Sequence, residues 1–159
     1  MLAAQADALG IGLELTSASW ADYTGRFSGL LGRVAGRIEA CVFGDIETDA
    51  RRRWCEQVAA SAGVVAIHPL WQRPRRALLE ELWAHGFRTT VVVVRDGVLD
   101  RELLGCELNP QVVAEIERQG ADGCGENGEY HTVVTDGPVL ARRCAGSMMS
   151  VHCAQVAGR

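Results

Sequence analysis

An α/β fold, a doubly wound parallel sheet followed by a smaller α+β subdomain, is what the sequence predicts, and three observations predict it. Short apolar runs alternate with amphipathic stretches from residue 11 to residue 94, the pattern of right-handed βαβ units. Within that region Phe87–Val94, which ends in the aliphatic run Val91–Val94, reads as a strand of the kind buried on both faces of a parallel sheet. After residue 95 the texture changes to short helical stretches, a glycine-rich loop and one alternating strand. A chain of 159 residues, 48% hydrophobic and 23% charged, has the size and composition of about one globular domain.

Taken in order, residues 1–9 read as the tail of a helix capped by Gly10, and Ile11–Leu15 as a short strand. From Trp20 to Ile38 the residues Trp20, Tyr23, Phe27, Leu30, Leu31, Val34 and Ile38 recur at helical spacing. Gly25, Gly29, Gly32 and Gly36 interrupt that helix, each costing up to about 1 kcal/mol relative to alanine. They mark either close packing against a neighbour or a weak, frayed helix. Ala40–Phe43 is a strand ending at Gly44-Asp45, and a helix from about Asp49 to Ala62 buries Trp54, Val58 and Ala62. Val64–Ile67 is the next strand, and Pro74 opens a helix that buries Leu78, Leu79, Leu82 and Trp83 and stops near Gly86. Short helices near Asp100–Leu104 and Gln111–Gln119 precede the loop 121–128, the strand Glu129–Thr135 and the turn Asp136-Gly137-Pro138. Residues 1–95 are thus expected to form a partial nucleotide-binding domain, 96–145 a subdomain and 146–159 a tail.

Composition excludes several function classes. Sixteen basic and 20 acidic residues leave a net charge of −4, which argues against a nucleic-acid grip resting on overall positive charge. Every basic residue is an arginine, so no Walker lysine or Schiff-base lysine operates within these residues. The longest aliphatic run, Val91–Val94, is far short of a membrane span. The first seven residues lack the basic and apolar regions of a secretory signal, so a cytoplasmic location is expected. None of the six cysteines forms a C-x-x-C pair; free thiols are the expectation, with Cys144, His152 and Cys153 the alternative as a zinc set of unfamiliar spacing.

Chemistry could sit in two places. Gly44-Asp45-Ile46 follows a parallel strand, where ligands of such sheets bind. Gly44 would admit a nucleotide close to the backbone, and Asp45 either binds a ribose hydroxyl or magnesium or caps the following helix. Trp71, in the loop after Pro69-Leu70, either lines a pocket or packs; His68 and His85 have no matching partners. The second place is Cys124-Gly125-Glu126-Asn127-Gly128-Glu129-Tyr130-His131-Thr132. Its glycines permit positive φ and could expose backbone N–H groups to an anion. Strand periodicity puts Glu129 and His131 on one face, where carboxylates beside an imidazole could handle protons near neutral pH. The alternative is a glycine hairpin with exposed acids.

Together, Val42–Ile46, Pro69-Leu70-Trp71, Leu104-Gly105, Cys124–Thr132 and Asp136-Gly137-Pro138 resemble the diphthine–ammonia ligase family, a branch of the PP-loop ATP pyrophosphatases, also called the adenine nucleotide alpha hydrolase group. The resemblance implies an ATP-dependent amide ligase, in which magnesium-ATP adenylates a carboxylate and ammonia then displaces AMP. It implies Gly44, Asp45, Ile46 and Trp71 beside the nucleotide, Glu126 and Glu129 as catalytic carboxylates, and Gly125, Asn127, Gly128, His131 and Thr132 around the substrate. Asn127 and His131 stand where archaeal and eukaryotic relatives carry glycine and glutamate, which resembles the bacterial branch. There the acceptor is a protein or small-molecule carboxylate that the resemblance does not name. The family's Ser-Gly-Gly-Lys-Asp-Ser phosphate loop is absent, and Met1–Gly10 resembles a helix that follows it in the family. A truncated chain with impaired activity is the resulting expectation; a non-catalytic nucleotide-binding or regulatory domain is the alternative.

Overall fold

The structure, a computed structural model, describes residues 1–144. The tail 146–159 lies outside the described residues, as do His152 and Cys153 of the zinc alternative. Contacts divide the chain into two compact units: residues 14–74, and residues 1–13 together with those from 75 onward. The architecture is mixed α/β, with one parallel and one antiparallel pair of strands.

In the unit 14–74, helix α2 (Tyr23–Val34) leads through a 3₁₀ turn at Ala35–Arg37 to strand β1 (Ala40–Val42), helix α3 (Asp49–Ser61) and strand β2 (Val65–Ile67). β1 and β2 pair in parallel, Ala40 with Val65 and Val42 with Ile67, so β1–α3–β2 is one βαβ unit of the expected kind. Among the described residues the parallel sheet extends no further. α3 buries Cys55, Val58 and Ala59. Trp54 is only half-buried: its ring centre lies 5.5 Å from that of Tyr23, itself exposed, and 5.3 Å from that of Phe27. Its indole N–H donates to Thr24 Oγ1 at 3.0 Å. The helix expected from Trp20 begins only at Tyr23 and leaves Trp20 95% exposed. No neighbour lies within 4 Å of where a Cβ would stand on Gly25, Gly29, Gly32 or Gly36. Among the described residues, Gly25, Gly29 and Gly32 weaken the helix without fitting it against a neighbour, and Gly36 lies in the 3₁₀ turn beyond it.

In the other unit, helix α1 (Leu2–Leu9) ends at Gly10 in the left-handed conformation, φ 67°. Helix α4 (Arg75–Ala84), strand β3 (Arg88–Val94), a 3₁₀ turn at Arg101–Leu103, helix α5 (Pro110–Arg118) and strand β4 (Tyr130–Asp136) follow. Ile11–Leu15 is not a strand: no ladder pairs with it among the described residues, and Ile11, Leu13 and Leu15 are exposed. β3 is not part of the parallel sheet either. It runs antiparallel to β4, Thr89 opposite Val134 and Val94 opposite Tyr130, and lies in this unit, not with β1 and β2. Its apolar run reports burial, which either strand direction satisfies. A register irregularity between Val91 and Val93 breaks the alternation that an antiparallel strand would otherwise show. The core joins Leu79, Val91, Val94, Leu103, Val113, Ile116 and Tyr130. Asn109 caps α5, its Oδ1 accepting from the N–H groups of Gln111 and Val112 at 3.0 and 2.9 Å, with Pro110 in the first turn. α1 joins the same unit, Gln5 donating to the Val134 carbonyl at 3.1 Å and Asp7 pairing with Arg142.

Candidate functional site

The loop between α5 and β4 is built around two of its own carboxylates. Asp122 receives the N–H groups of Cys124 and Glu126, at 3.2 and 2.9 Å, and pairs with Arg75 at 3.0 Å. Glu129, 6% exposed, receives the N–H of Asp122 at 3.2 Å and both the backbone N–H and the side-chain amide of Asn127 at 3.0 Å. Gly125 and Gly128 adopt φ of 69° and 73°, turning these N–H groups inward. Tyr130 closes the base, its hydroxyl donating to the Gly123 carbonyl at 2.5 Å. Arg95 donates its backbone N–H to the Glu129 carbonyl at 2.7 Å and its guanidinium to the Asn127 carbonyl.

Electrostatics follow from this wiring. Burial pushes the Glu129 carboxyl up, but the Asn127 side chain and the backbone N–H groups around it hold it below the usual carboxylate range. The carboxylate stays ionised as a binding post for the loop. Cys124 is pushed up to about 11 by burial and by the charges of Asp122 and Glu126, and remains a thiol. Tyr130 is raised too, first by burial. Of the N–H groups that glycine-rich spacing could have offered to an external anion, those of Asp122, Cys124, Glu126 and Asn127 are taken by the Asp122 and Glu129 carboxylates, and those of Gly125 and Gly128 by the backbone carbonyls of Asp122 and Gly125.

Of the residues singled out in this stretch, Gly125, Glu126, Asn127, Gly128 and Glu129 belong to one loop, with Thr132 half-buried on β4. Glu126 is half-buried on a backbone fixed by Asp122, and His131 is exposed. Glu129 and His131 do not share a face. Glu129 precedes β4 and folds back into the loop, so strand alternation does not reach it. Asp122, Arg75 and Arg95 were not singled out from the sequence. The Asp-Gly-Cys-Gly stretch carried the signal for Asp122, since aspartate in such a turn bonds backbone N–H groups two and four residues on.

The second candidate place lies at the carboxyl ends of β1 and β2. Gly44 is exposed, Asp45 half-buried and Ile46 buried. The Cys55 thiol donates to Asp45 Oδ2 at 3.4 Å, and burial, then Asp45, push that thiol up to about 12. Asp45 therefore reaches back to α3, and Thr48 is the N-cap residue of that helix. The Ile46 carbonyl accepts the Gln72 N–H at 2.6 Å, which ties the Trp71 turn to this loop. Trp71 is half-buried, with the Arg52 guanidinium 5.0 Å from its ring centre. Asp45 supplies a carboxylate at the carboxyl end of the parallel pair, the end at which open α/β sheets take ligands, and one carboxylate with substrate phosphates is an ordinary donor set for magnesium. Among the described residues no three histidine, cysteine or acidic side chains converge as a metal site, and no helix is long and apolar enough to cross a membrane.

Comparison with known proteins bears on both places. The family model of the diphthamide synthase N-terminal domain matches residues 1–66, and that of the diphthamide synthase C-terminal domain residues 74–152. The diphthine–ammonia ligase of Mus musculus is 30% identical over 110 residues, covering 67% of this chain and 41% of the mouse protein. That of Schizosaccharomyces pombe is 28% identical over 109 residues, covering 67% and 18%, and that of Danio rerio 29% identical over 112 residues, covering 67% and 43%. The chain thus spans less than half the length of these relatives. With the two family models laid end to end along it, one over the parallel pair and one over the acidic loop, the chain belongs to the diphthine–ammonia ligase family.

Proposed function

We propose that this chain belongs to an ATP-dependent carboxylate–ammonia ligase of the diphthine–ammonia ligase type, acting in the cytoplasm. The observation that carries the proposal is the self-closed acidic loop 122–130, which lies within the matched C-terminal domain and holds Glu126 on a fixed backbone. In the first step the acceptor carboxylate attacks the α-phosphate of ATP, giving an acyl adenylate and pyrophosphate. In the second, ammonia attacks the acyl carbon and AMP leaves, giving the amide. Glu126 attracts ammonium and takes its proton, so that neutral ammonia is the nucleophile. Glu129 is the second carboxylate of the pair, and it acts by keeping the loop in shape. Asn127, Gly128, His131 and Thr132 line the acceptor side.

The parallel pair β1–β2 serves the nucleotide, with Gly44, Asp45, Ile46 and Trp71 beside it. Magnesium would travel with ATP, held by Asp45, and screen the phosphates. The test measures AMP released from magnesium-ATP, with ammonium and a diphthine-bearing protein as the acceptor. The chain is assayed alone and in a form extended upstream by the family's Ser-Gly-Gly-Lys-Asp-Ser phosphate loop. AMP formation that needs both ammonium and acceptor, with Glu126→Gln raising the KM for ammonium at least about tenfold, is the expected result. ATP binding without AMP formation in either form would leave a non-catalytic nucleotide-binding domain in its place.

A further inference from the structure

Both ring nitrogens of His68 are buried and without a hydrogen-bond partner. A buried imidazole needs one donor bond and one acceptor bond, and leaving them unmade costs free energy. His68 directly follows β2, and Phe43, which directly follows β1, stacks on it with ring centres 5.5 Å apart and planes at 19°. The Phe43 N–H donates to the Ile67 carbonyl at 2.9 Å, extending the parallel ladder up to these rings. Trp71 meets His68 edge-on, 6.3 Å between centres and 68° between planes. Trp71 sits on a turn whose next residue, Gln72, adopts φ 57°. A side chain rarely takes that conformation, and such strain gathers at clamps and switch regions.

We infer that His68 reads the ring of a bound nucleobase: the base enters beside Phe43, displaces the edge of Trp71 and takes the hydrogen bond that His68 does not make within the chain. The inference rests on the nucleotide reading proposed above. The surroundings select a flat heteroaromatic ring over a phosphate. His68 lies among aromatic faces, the Arg52 guanidinium is spent on Trp71 and Glu56, and a neutral imidazole supplies the single donor and single acceptor that a base edge matches. Phe43 provides the stacking platform, as aromatic side chains do for bases elsewhere. Trp71 covers the ring until a ligand replaces it.

His68→Phe keeps the stack and removes the nitrogens, which makes it the informative variant. Calorimetry compares magnesium-ATP with magnesium-tripolyphosphate on the unmutated chain and on H68F. ATP binding weakened about tenfold or more in H68F, with tripolyphosphate binding unchanged, is the expected result. The melting temperature of H68F should equal or exceed that of the parent, because two unpaired buried atoms are gone. Equal ATP affinity in the two chains would overturn the inference, as would a parallel loss for tripolyphosphate. A lower melting point would also overturn it, since the nitrogens would then be satisfied in the folded chain. Failure of the unmutated chain to bind ATP, both alone and in the form extended by the phosphate loop, would instead sink the nucleotide reading itself, and this inference with it.

Discussion

Glu129 sits where a catalytic carboxylate was expected, yet its two oxygens accept three hydrogen bonds from its own loop. Replacing it with glutamine keeps the volume but turns one acceptor into a donor facing N–H groups. Glu129→Gln should therefore cost about 1–3 kcal/mol of stability near neutral pH, measured by urea unfolding. The sign of the pH dependence follows from the lowered carboxyl in the folded chain. The stabilisation is fully present above the unfolded carboxyl's ordinary value of about 4.3 and is lost as pH falls through the lower folded value. The gap between parent and E129Q should accordingly narrow under acid; a gap that stays constant down to pH 2 would show that Glu129 does not carry this charge. That the stretch was special was legible in the residue types Gly-Glu-Asn-Gly-Glu. Which carboxylate is structural was not, because the division of labour depends on whether the chain folds back at Gly125 and Gly128.

At the scale of the element, two kinds of glycine behave oppositely. Gly125 adopts φ 69°, and a Cβ there would stand 2.9 Å from the Tyr130 ring and 3.1 Å from the Tyr130 carbonyl oxygen. Gly29 lies mid-helix in α2, with open space around its missing side chain. Gly125→Ala should destabilise by about 1–3 kcal/mol through backbone strain and crowding, while Gly29→Ala should stabilise by up to about 1 kcal/mol through helix propensity. Thermal unfolding of both variants reads the contrast, and a shift of the same sign in both would refute it. From sequence the helical glycines admitted two readings, tight packing or a weak helix. Only the neighbours of each Cβ position decide between them, and among the described residues there are none within 4 Å. The strand Tyr130–Asp136 and the helix Pro110–Arg118 lie within one residue of the expected Glu129–Thr135 and Gln111–Gln119, since alternation along a strand is a local signal, while the Asn109 cap was not read from the sequence.

At the scale of the whole molecule, the unit that carries the acidic loop owes its shape to a core in which Val113 and Ile116 of α5 are fully buried with Val91 of β3. Ile116→Ala should cost about 2–5 kcal/mol and lower amide protection across β3, β4 and α5 together in hydrogen exchange. Loss confined to α5 would mean that these elements do not share one core. The sequence by itself determined the kinds of element, the two stretches where chemistry could gather and the family. These rest on residue type and short spacing, which exist before the chain folds. Only the tertiary structure decided that Phe87–Val94 pairs antiparallel with Tyr130–Asp136, that Ile11–Leu15 forms no strand, and that Glu129 turns inward while Glu126 is held by Asp122. Strand direction and side-chain partners are fixed by which distant segments meet, and an apolar run or a carboxylate is compatible with several such meetings until packing selects one.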